Sequence, residues 1–304
     1  YRKMPAHFRM YPRQRDREEY LAIVKHVAYK GDRGSITQAL IYFLRQIQSL
    51  EPAAGFNEHL LRDLFQLIAT HLEFVYITLD EENPYRIFKS LNSTGVNLSE
   101  ADLIRNFMLM EVGNNTAEQD AFDDQYWRPL EKQFVDEKGQ LNSRDFSYFF
   151  RDFLMKDGQY IPTAATFYNF ENRYQTETFD VKALTLELQD SAQLYNIMRG
   201  LHPHPNKQVN RALHRLRLLN TRTTYPLLLN LLGRTAAGNI SVREFTQCTE
   251  LISTFIRQRH ELDEASRPYS RWFAVACRHL GERPYDNLCA FLQDKGFEPE
   301  ADSR

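Results

Sequence analysis

The chain has 304 residues, of which 42% are hydrophobic and 26% are charged. This composition is typical of globular proteins, and the length suffices for one large or two modest domains. The 38 Lys and Arg residues nearly balance the 40 Asp and Glu residues, so the net charge of −2 excludes a strong global field, and any nucleic-acid surface must be local. With 12 Gly and 12 Pro, the sequence has too few turn residues for an all-β fold.

The first 13 residues (YRKMPAHFRMYPR) alternate basic and aromatic side chains around two prolines, which favours an extended arm over a helix. Interleaved cations and rings suit contact with single-stranded or flipped nucleic acid, and Arg9 and Arg13 are the candidate contacts. A linker leading out of a preceding domain explains the same pattern. Since the chain opens on Tyr1, we expect it to begin inside a longer protein.

Apolar residues recur at helical spacing from Asp16 onward, and the pattern returns over 36–50 and 56–72, so three helices are predicted first. The β-branched and aromatic run at about 73–79 (EFVYITL) is then the one convincing strand. A lone strand is not stable in water, so we expect it to pair with a sheet that this chain does not visibly encode.

Everything after the strand has helical periodicity, and the predicted fold is mainly α: a multi-helix bundle with a minimal β element. Ser99 and Asp102 form a predicted capping box for a helix over 99–108. Further helices are predicted over about 84–91, 117–135, 143–156, 164–174, 180–201, 206–219, 223–234, 241–259, 268–280 and 284–295.

The segment between the strand and the capping box is a candidate anion site. Backbone amides near a left-handed glycine and at a helix N-terminus can cradle a phosphate, and short polar side chains add donors. An ordinary helix end, turn and surface cation explain the same residues, and both interpretations stay open. The candidate phosphate contacts are Asn92, Ser93, Thr94, Gly95 and Arg105.

A second candidate surface lies in the basic hairpin over 199–222. Its cations could neutralise several phosphates and make binding strongly salt-dependent, or they could form an ordinary solvated helix face. His202 and His204 have no carboxylate or thiol at ligand spacing, so no metal site is predicted there. The candidate nucleic-acid contacts are Lys207, Arg211, Arg215 and Arg222.

Residues 87–106 (IFKSLNSTGVNLSEADLIRN) resemble a signature of the GmrSD-type restriction proteins, in their ParB-like GmrS portion. The signature reads F-x-x-LN-x-x-G-x-x-L-x-x-x-DLI-[RK]-N, and the similarity extends over roughly residues 8–110. It implies that residues 1–113 are the C-terminal part of a ParB/sulfiredoxin-like domain with a helical insertion. Residues 114–304 would then form a helical domain.

The resemblance also implies a function, namely that of an NTP-stimulated endonuclease that acts on phage DNA. The family's DGQQR and HNH motifs are absent from this chain, so no catalytic residue is predicted in it. A nucleoside triphosphate with a divalent metal, and N-terminal ParB-like and C-terminal HNH-type domains, would belong to the complete protein. DNA is the expected partner, and a homo-oligomer is compatible with the sequence.

Other interpretations remain open. The chain could be a non-catalytic helical scaffold or a regulatory protein-interaction module, and a self-contained enzyme is a third alternative without a visible catalytic motif. No apolar run is long enough for a transmembrane helix, and the start resembles no signal peptide. The isolated thiols predict reduced core cysteines and a cytoplasmic protein without a membrane partner; they are Cys248, Cys277 and Cys289.

Overall fold

The computed structural model describes residues 14–28, 31, 34–50, 58–73, 98–113, 115–137, 139–175, 179–262, 266 and 268–298. Contacts divide the chain into two compact units, Tyr1–Pro84 and Tyr85–Arg304. The predicted strand lies outside the described residues from residue 74 onward, so its pairing stays a prediction. The predicted end of the ParB-like part at residue 113 stays a prediction.

Three helices of the first unit are described: α1 (Gln14–Val24), α2 (Ser35–Ser49) and α3 (Glu58–His71). The buried carboxylate of Glu19 on α1 accepts hydrogen bonds from the backbone amides of Gly34, at 2.8 Å, and Thr37, at 3.0 Å. These amides belong to the first turn of α2, whose N-cap residue Gly34 has no side chain to satisfy them. Glu19 therefore caps α2 from a neighbouring helix.

The apolar faces of α2 and α3 are exposed. Both helices have the amphipathic spacing of a core helix, yet neither contains a buried residue. Phe43 is 61% exposed and Phe65 is 70% exposed. Large apolar side chains on both helices thus keep much of their surface in contact with water.

The second unit begins with α4 (Glu100–Glu111) and α5 (Thr116–Phe122). A π-helical turn, Asp123–Trp127, connects α5 to α6 (Arg128–Lys132). The remaining helices are α7 (Ser143–Met155), α8 (Thr166–Gln175), α9 (Val181–Arg199), α10 (Lys207–Leu218), α11 (Tyr225–Ala236), α12 (Val242–Glu261), α13 (Tyr269–Ala276) and α14 (Pro284–Gln293). Short 3₁₀ turns occupy Thr163–Ala165 and Cys277–His279.

Side-chain caps determine where most of these helices begin. Ser99 and Asp102 form the predicted capping box at the start of α4, so that prediction is confirmed. A short polar side chain accepts a first-turn amide at five further helices, which satisfies donors that a helix leaves unpaired. These N-cap residues are Asn115, Asn142, Asp180, Asn206 and Ser241.

Aromatic rings dominate the continuous core of the second unit. Trp127 stacks on Phe150 with ring centroids 5.9 Å apart, and both side chains are fully buried. Because such rings bury large areas, they supply much of the stabilisation of the bundle. The core joins α7 to α4, α8, α9 and α11, and α12 packs against α10, α11 and α14.

The predicted mainly α, multi-helix fold is confirmed. Across the ranges that the structure covers, the β contribution is one isolated bridge, between Val135 and Leu141. Among these same residues no helix combines the length and the apolar character needed to cross a membrane. All three cysteines are free thiols; Cys248 and Cys277 are buried and Cys289 is half-buried.

Candidate nucleic-acid interface

Several predicted contact residues lie outside the described part of the chain. They are Arg9 and Arg13 in the N-terminal arm, and Asn92, Ser93, Thr94 and Gly95 in the candidate anion site. Their proposed roles stay predictions.

Arg105 is described, and it is buried. The side chain lies on α4, and the residue is only 7% exposed. Its Nη2 donates a 2.5 Å hydrogen bond to Oδ1 of Asp123, at the start of the π-helical turn. The charge of Arg105 is therefore balanced inside the second unit, and a phosphate would have to compete with the carboxylate of Asp123.

One face of α10 carries exposed cations. Lys207, Arg211 and Arg215 follow one another at four-residue spacing and therefore share a face. All three are exposed, whereas Val209 and Leu213 on the opposite face are buried. No residue of α10 is acidic, since its sequence is KQVNRALHRLRL. We call Lys207, Arg211 and Arg215 the α10 cationic face.

The three cations of this face differ in their partners. Nη1 of Arg215 lies 3.0 Å and 2.9 Å from the carboxylate oxygens of Glu250 on α12. Both side chains of this pair are more than half exposed, so the pair contributes little to stability and exchanges readily. Lys207 and Arg211 form no ion pair with any residue in the described ranges.

Arg222, the fourth predicted contact, is tied to the second unit. Its Nη2 donates to Oδ1 of Asp145 at 2.8 Å, and Arg199 donates to the other oxygen of the same carboxylate at 2.6 Å. The guanidinium of Arg222 also lies over the ring of Tyr148, 5.4 Å from its centroid. Two cations thus share one carboxylate, and this group keeps a net positive charge.

A buried carboxylic acid lies deeper in the same region. Asp152 on α7 accepts a 2.9 Å hydrogen bond from the hydroxyl of Tyr195 on α9. Burial raises the pKa of Asp152 to about 7, against the opposing effects of the Tyr195 hydrogen bond and the charges of Arg151 and Arg222. Burial also raises the pKa of Tyr195 well above its usual value, so the tyrosine stays a neutral donor.

A cavity of about 230 Å³ lies next to Arg222, between the end of α10 and the start of α11. Arg217, Arg222 and Thr224 line its polar side, and leucines of α10 and α11 line its apolar side. Asn220 turns the chain between these helices with φ of 48°, a left-handed conformation that asparagine tolerates better than most residues. The hairpin that was predicted as a basic surface therefore forms both an exposed cationic face and a recess.

Asp145, Asp152, Tyr195 and Thr224 were not predicted as site residues. A signal existed for Asp152, which interrupts the aromatic stripe of α7 (SRDFSYFFRDFLM) with a charge on its apolar side. The pairing of Asp145 with Arg199 and Arg222 spans up to 77 positions of sequence, and no local pattern reports such a contact.

Within the described ranges, no group of three His, Cys, Asp or Glu side chains could hold a metal ion. No model of a protein family matches the chain, and no curated protein matches it significantly. The resemblance of residues 87–106 to the GmrSD-type proteins therefore stays a prediction.

Proposed function

We propose that the protein is the helical and ParB-like portion of a GmrSD-type DNA restriction, or phage-defence, system, and that the α10 cationic face contacts the DNA backbone. The observation that carries the DNA contact is the pattern of α10, a surface helix with exposed cations on one face and no acidic residue. The family assignment has separate support from the signature at residues 87–106.

The dimensions of the face fit a backbone contact. From Lys207 to Arg215 the helix advances by eight residues, which is about 12 Å at 1.5 Å per residue. That length corresponds to roughly three to four base steps of a DNA strand at 3.4 Å each. The face can therefore neutralise two or three neighbouring phosphates without reading the base sequence.

In this proposal the catalytic chemistry belongs to other parts of such a system, and this chain adds contacts to the nucleotide through Asn92, Ser93, Thr94, Gly95 and Arg105. The signature family carries the catalytic chemistry on DGQQR and HNH motifs, which this sequence lacks. The chain would then hold the complete protein on DNA and add to its affinity. A nucleoside triphosphate and a divalent metal would act in the complete protein.

Fluorescence anisotropy of a labelled DNA duplex at rising salt tests the DNA contact. We expect binding that weakens with salt, with a log–log slope of about −2 to −3 for two to three phosphates. The double variant Lys207→Gln/Arg211→Gln should reduce the magnitude of this slope by about 2, since each lost cation releases one counterion fewer.

A control with the same net charge makes the test specific. Lys182→Gln/Arg243→Gln removes two exposed cations from α9 and from α12, outside the α10 cationic face. This control should bind DNA like the wild type. The DNA contact is refuted if the wild type does not bind at low salt, or if both double variants lose affinity equally.

A non-catalytic scaffold or protein-interaction module is the second candidate, favoured by the exposed apolar faces of α2 and α3. In that case Phe43→Ser/Phe65→Ser should abolish chemical cross-linking to protein partners. The anisotropy measurement should then detect no salt-dependent DNA binding.

A further inference from the structure

The cavity between α10 and α11 contains a hydroxyl group without a partner. Thr224 is 1% exposed and lines the cavity. It is the N-cap residue of α11, yet its side chain makes no capping hydrogen bond. Its hydroxyl forms no hydrogen bond with any other residue in the described part of the chain. This hydroxyl can therefore donate a hydrogen bond to a ligand in the cavity.

The same cavity is electropositive. Arg217 donates only through Nη1, at 3.5 Å and 3.3 Å, to the carbonyls of Ile197 and Met198, so these contacts are long. Arg222 uses Nη2 for Asp145, and that carboxylate is already paired with Arg199. Two guanidinium groups, those of Arg199 and Arg222, thus share one carboxylate. Arg217 and Arg222 line the cavity.

The backbone adds to this field. α11 begins at Tyr225, and the positive end of its dipole lies at Thr224, at the edge of the cavity. The amide of Tyr225 already donates to the carbonyl of Arg222 at 3.1 Å and Pro226 has no N–H, so this helix end contributes its dipole. Guanidinium groups match the oxygen geometry of phosphate. The two arginines and the helix dipole favour an anion, and the hydroxyl of Thr224 can donate to it.

We propose that this cavity binds the phosphate group of a phosphomonoester, held by Arg217, Arg222 and the hydroxyl of Thr224. The volume of about 230 Å³ is smaller than the roughly 300–1,000 Å³ of pockets that enclose drug-sized ligands. The cavity therefore takes a phosphate with a small attached group, and not a whole nucleoside triphosphate. The site is separate from the α10 cationic face and does not rest on the proposed DNA contact.

Isothermal titration of the 304-residue chain with inorganic phosphate, at an ionic strength held constant with chloride, tests the site. We expect Thr224→Val to raise the Kd about tenfold, because the variant keeps the shape but loses a hydrogen bond to a charged group. Arg217→Gln should weaken binding at least as much. Thr224→Ser, which keeps the hydroxyl, should bind like the wild type.

Arg243→Gln is the matched control, since it removes an exposed arginine of α12 that lies outside both the cavity and the α10 cationic face. It should leave the phosphate Kd unchanged. The proposal is overturned if phosphate binds no better than chloride, or if Thr224→Val and Arg217→Gln bind phosphate as the wild type does. Should Thr224→Val fail to fold, the serine and glutamine variants still decide the question.

The source of the phosphate is decided by a second titration. A single-stranded oligonucleotide with a 5′-phosphate is compared with the same strand ending in a 5′-hydroxyl. If the phosphate tightens binding and Arg217→Gln removes the gain, the ligand is a nucleic-acid end. If inorganic phosphate binds while the two strands bind equally, the ligand is a small phosphomonoester.

Discussion

The first and second units contain helices of the same amphipathic kind with opposite degrees of burial. α7 buries seven of its residues, including four phenylalanines, whereas α2 and α3 bury none. Both patterns follow from helical periodicity, which fixes the helix and its apolar stripe. Periodicity alone therefore does not determine whether the apolar stripe is covered.

The pKa of a buried carboxyl group is also shifted in opposite directions in the two units. At Glu19 burial acts to raise the pKa, but hydrogen bonds from Thr37 and from the amides of Thr37, Gly34 and Ile36 outweigh it and lower the pKa. At Asp152 burial dominates and raises the pKa to about 7. The balance between burial and the donors that face each carboxylate therefore decides the direction of the shift.

The largest expected effect concerns the core of the second unit. Phe150→Ala removes a fully buried ring that stacks on Trp127 and should lower the free energy of unfolding by about 3–5 kcal/mol. Phe65→Ala removes a ring that is 70% exposed and should change it by less than about 0.5 kcal/mol. Urea denaturation followed by far-UV circular dichroism measures both variants.

Tryptophan fluorescence separates the units in this experiment, since both tryptophans, Trp127 and Trp272, lie in the second unit. Phe150→Ala should shift this signal to lower urea concentration, and Phe65→Ala should not. Equal destabilisation by the two variants would show that the apolar face of α3 is covered.

The next effect is a dependence of stability on pH. Between pH 3.8 and about 7 the folded chain keeps a proton on Asp152 that the unfolded chain loses. The contribution of protonated Asp152 to the free energy of unfolding is therefore complete below pH 3.8. It is lost as the pH rises through about 7. Over this pH range the free energy of unfolding should fall by up to about 4 kcal/mol, at 1.36 kcal/mol per pH unit.

Asp152→Asn isolates this contribution, because the amide oxygen can still accept from Tyr195 but does not titrate. Urea midpoints of the two proteins should converge or cross as the pH rises. Glu19→Gln should behave in the opposite way, since the pKa of Glu19 is lowered and its contribution is lost only as the pH falls below the usual value of 4.5. A pH-independent difference for Asp152→Asn would contradict the assignment.

The smallest effect concerns the cap between α1 and α2. Glu19→Ala removes the acceptor of two first-turn amides and should destabilise the first unit by about 1 kcal/mol. Gly34→Ala should act through the same contact, because an added Cβ would lie 2.5 Å from Oε2 of Glu19. The two changes together should cost less than their sum, as measured by circular dichroism; additive effects would show that the contact is not shared.

The sequence predicts the helices well because their signals are local. Polar caps such as Ser99 and Asn142, and apolar repeats of three and four residues, lie within a turn or two of the boundary that they specify. The helix predicted over 117–135 is instead divided by a π-helical turn, and its last residues leave the helix after Lys132. A π turn depends on packing around Trp127, which periodicity does not report.

The site is less predictable, since its properties arise from contacts between distant segments. Charge alone selects the cations of 199–222, but Asp145 and Glu250 decide which of them are already paired. The hydroxyl of Thr224 becomes a candidate ligand group only once α10 and α11 enclose it. Sequence patterns identify the side chains that could bind a ligand. Tertiary packing determines which of them are not already paired within the protein.

The π-helical turn Asp123–Trp127 contains one residue more than an α-helical turn, and the helix that follows it depends on that residue. A turn closed by i→i+5 hydrogen bonds holds one residue more than an α-helical turn, and each residue rotates the chain by about 100°. Deleting one residue there, such as the exposed Gln125, would let a single straight helix form and would rotate Leu130 relative to Phe122. The register of this segment therefore depends on the extra residue of the π turn, with which Asp123 reaches Arg105 and Trp127 enters the core.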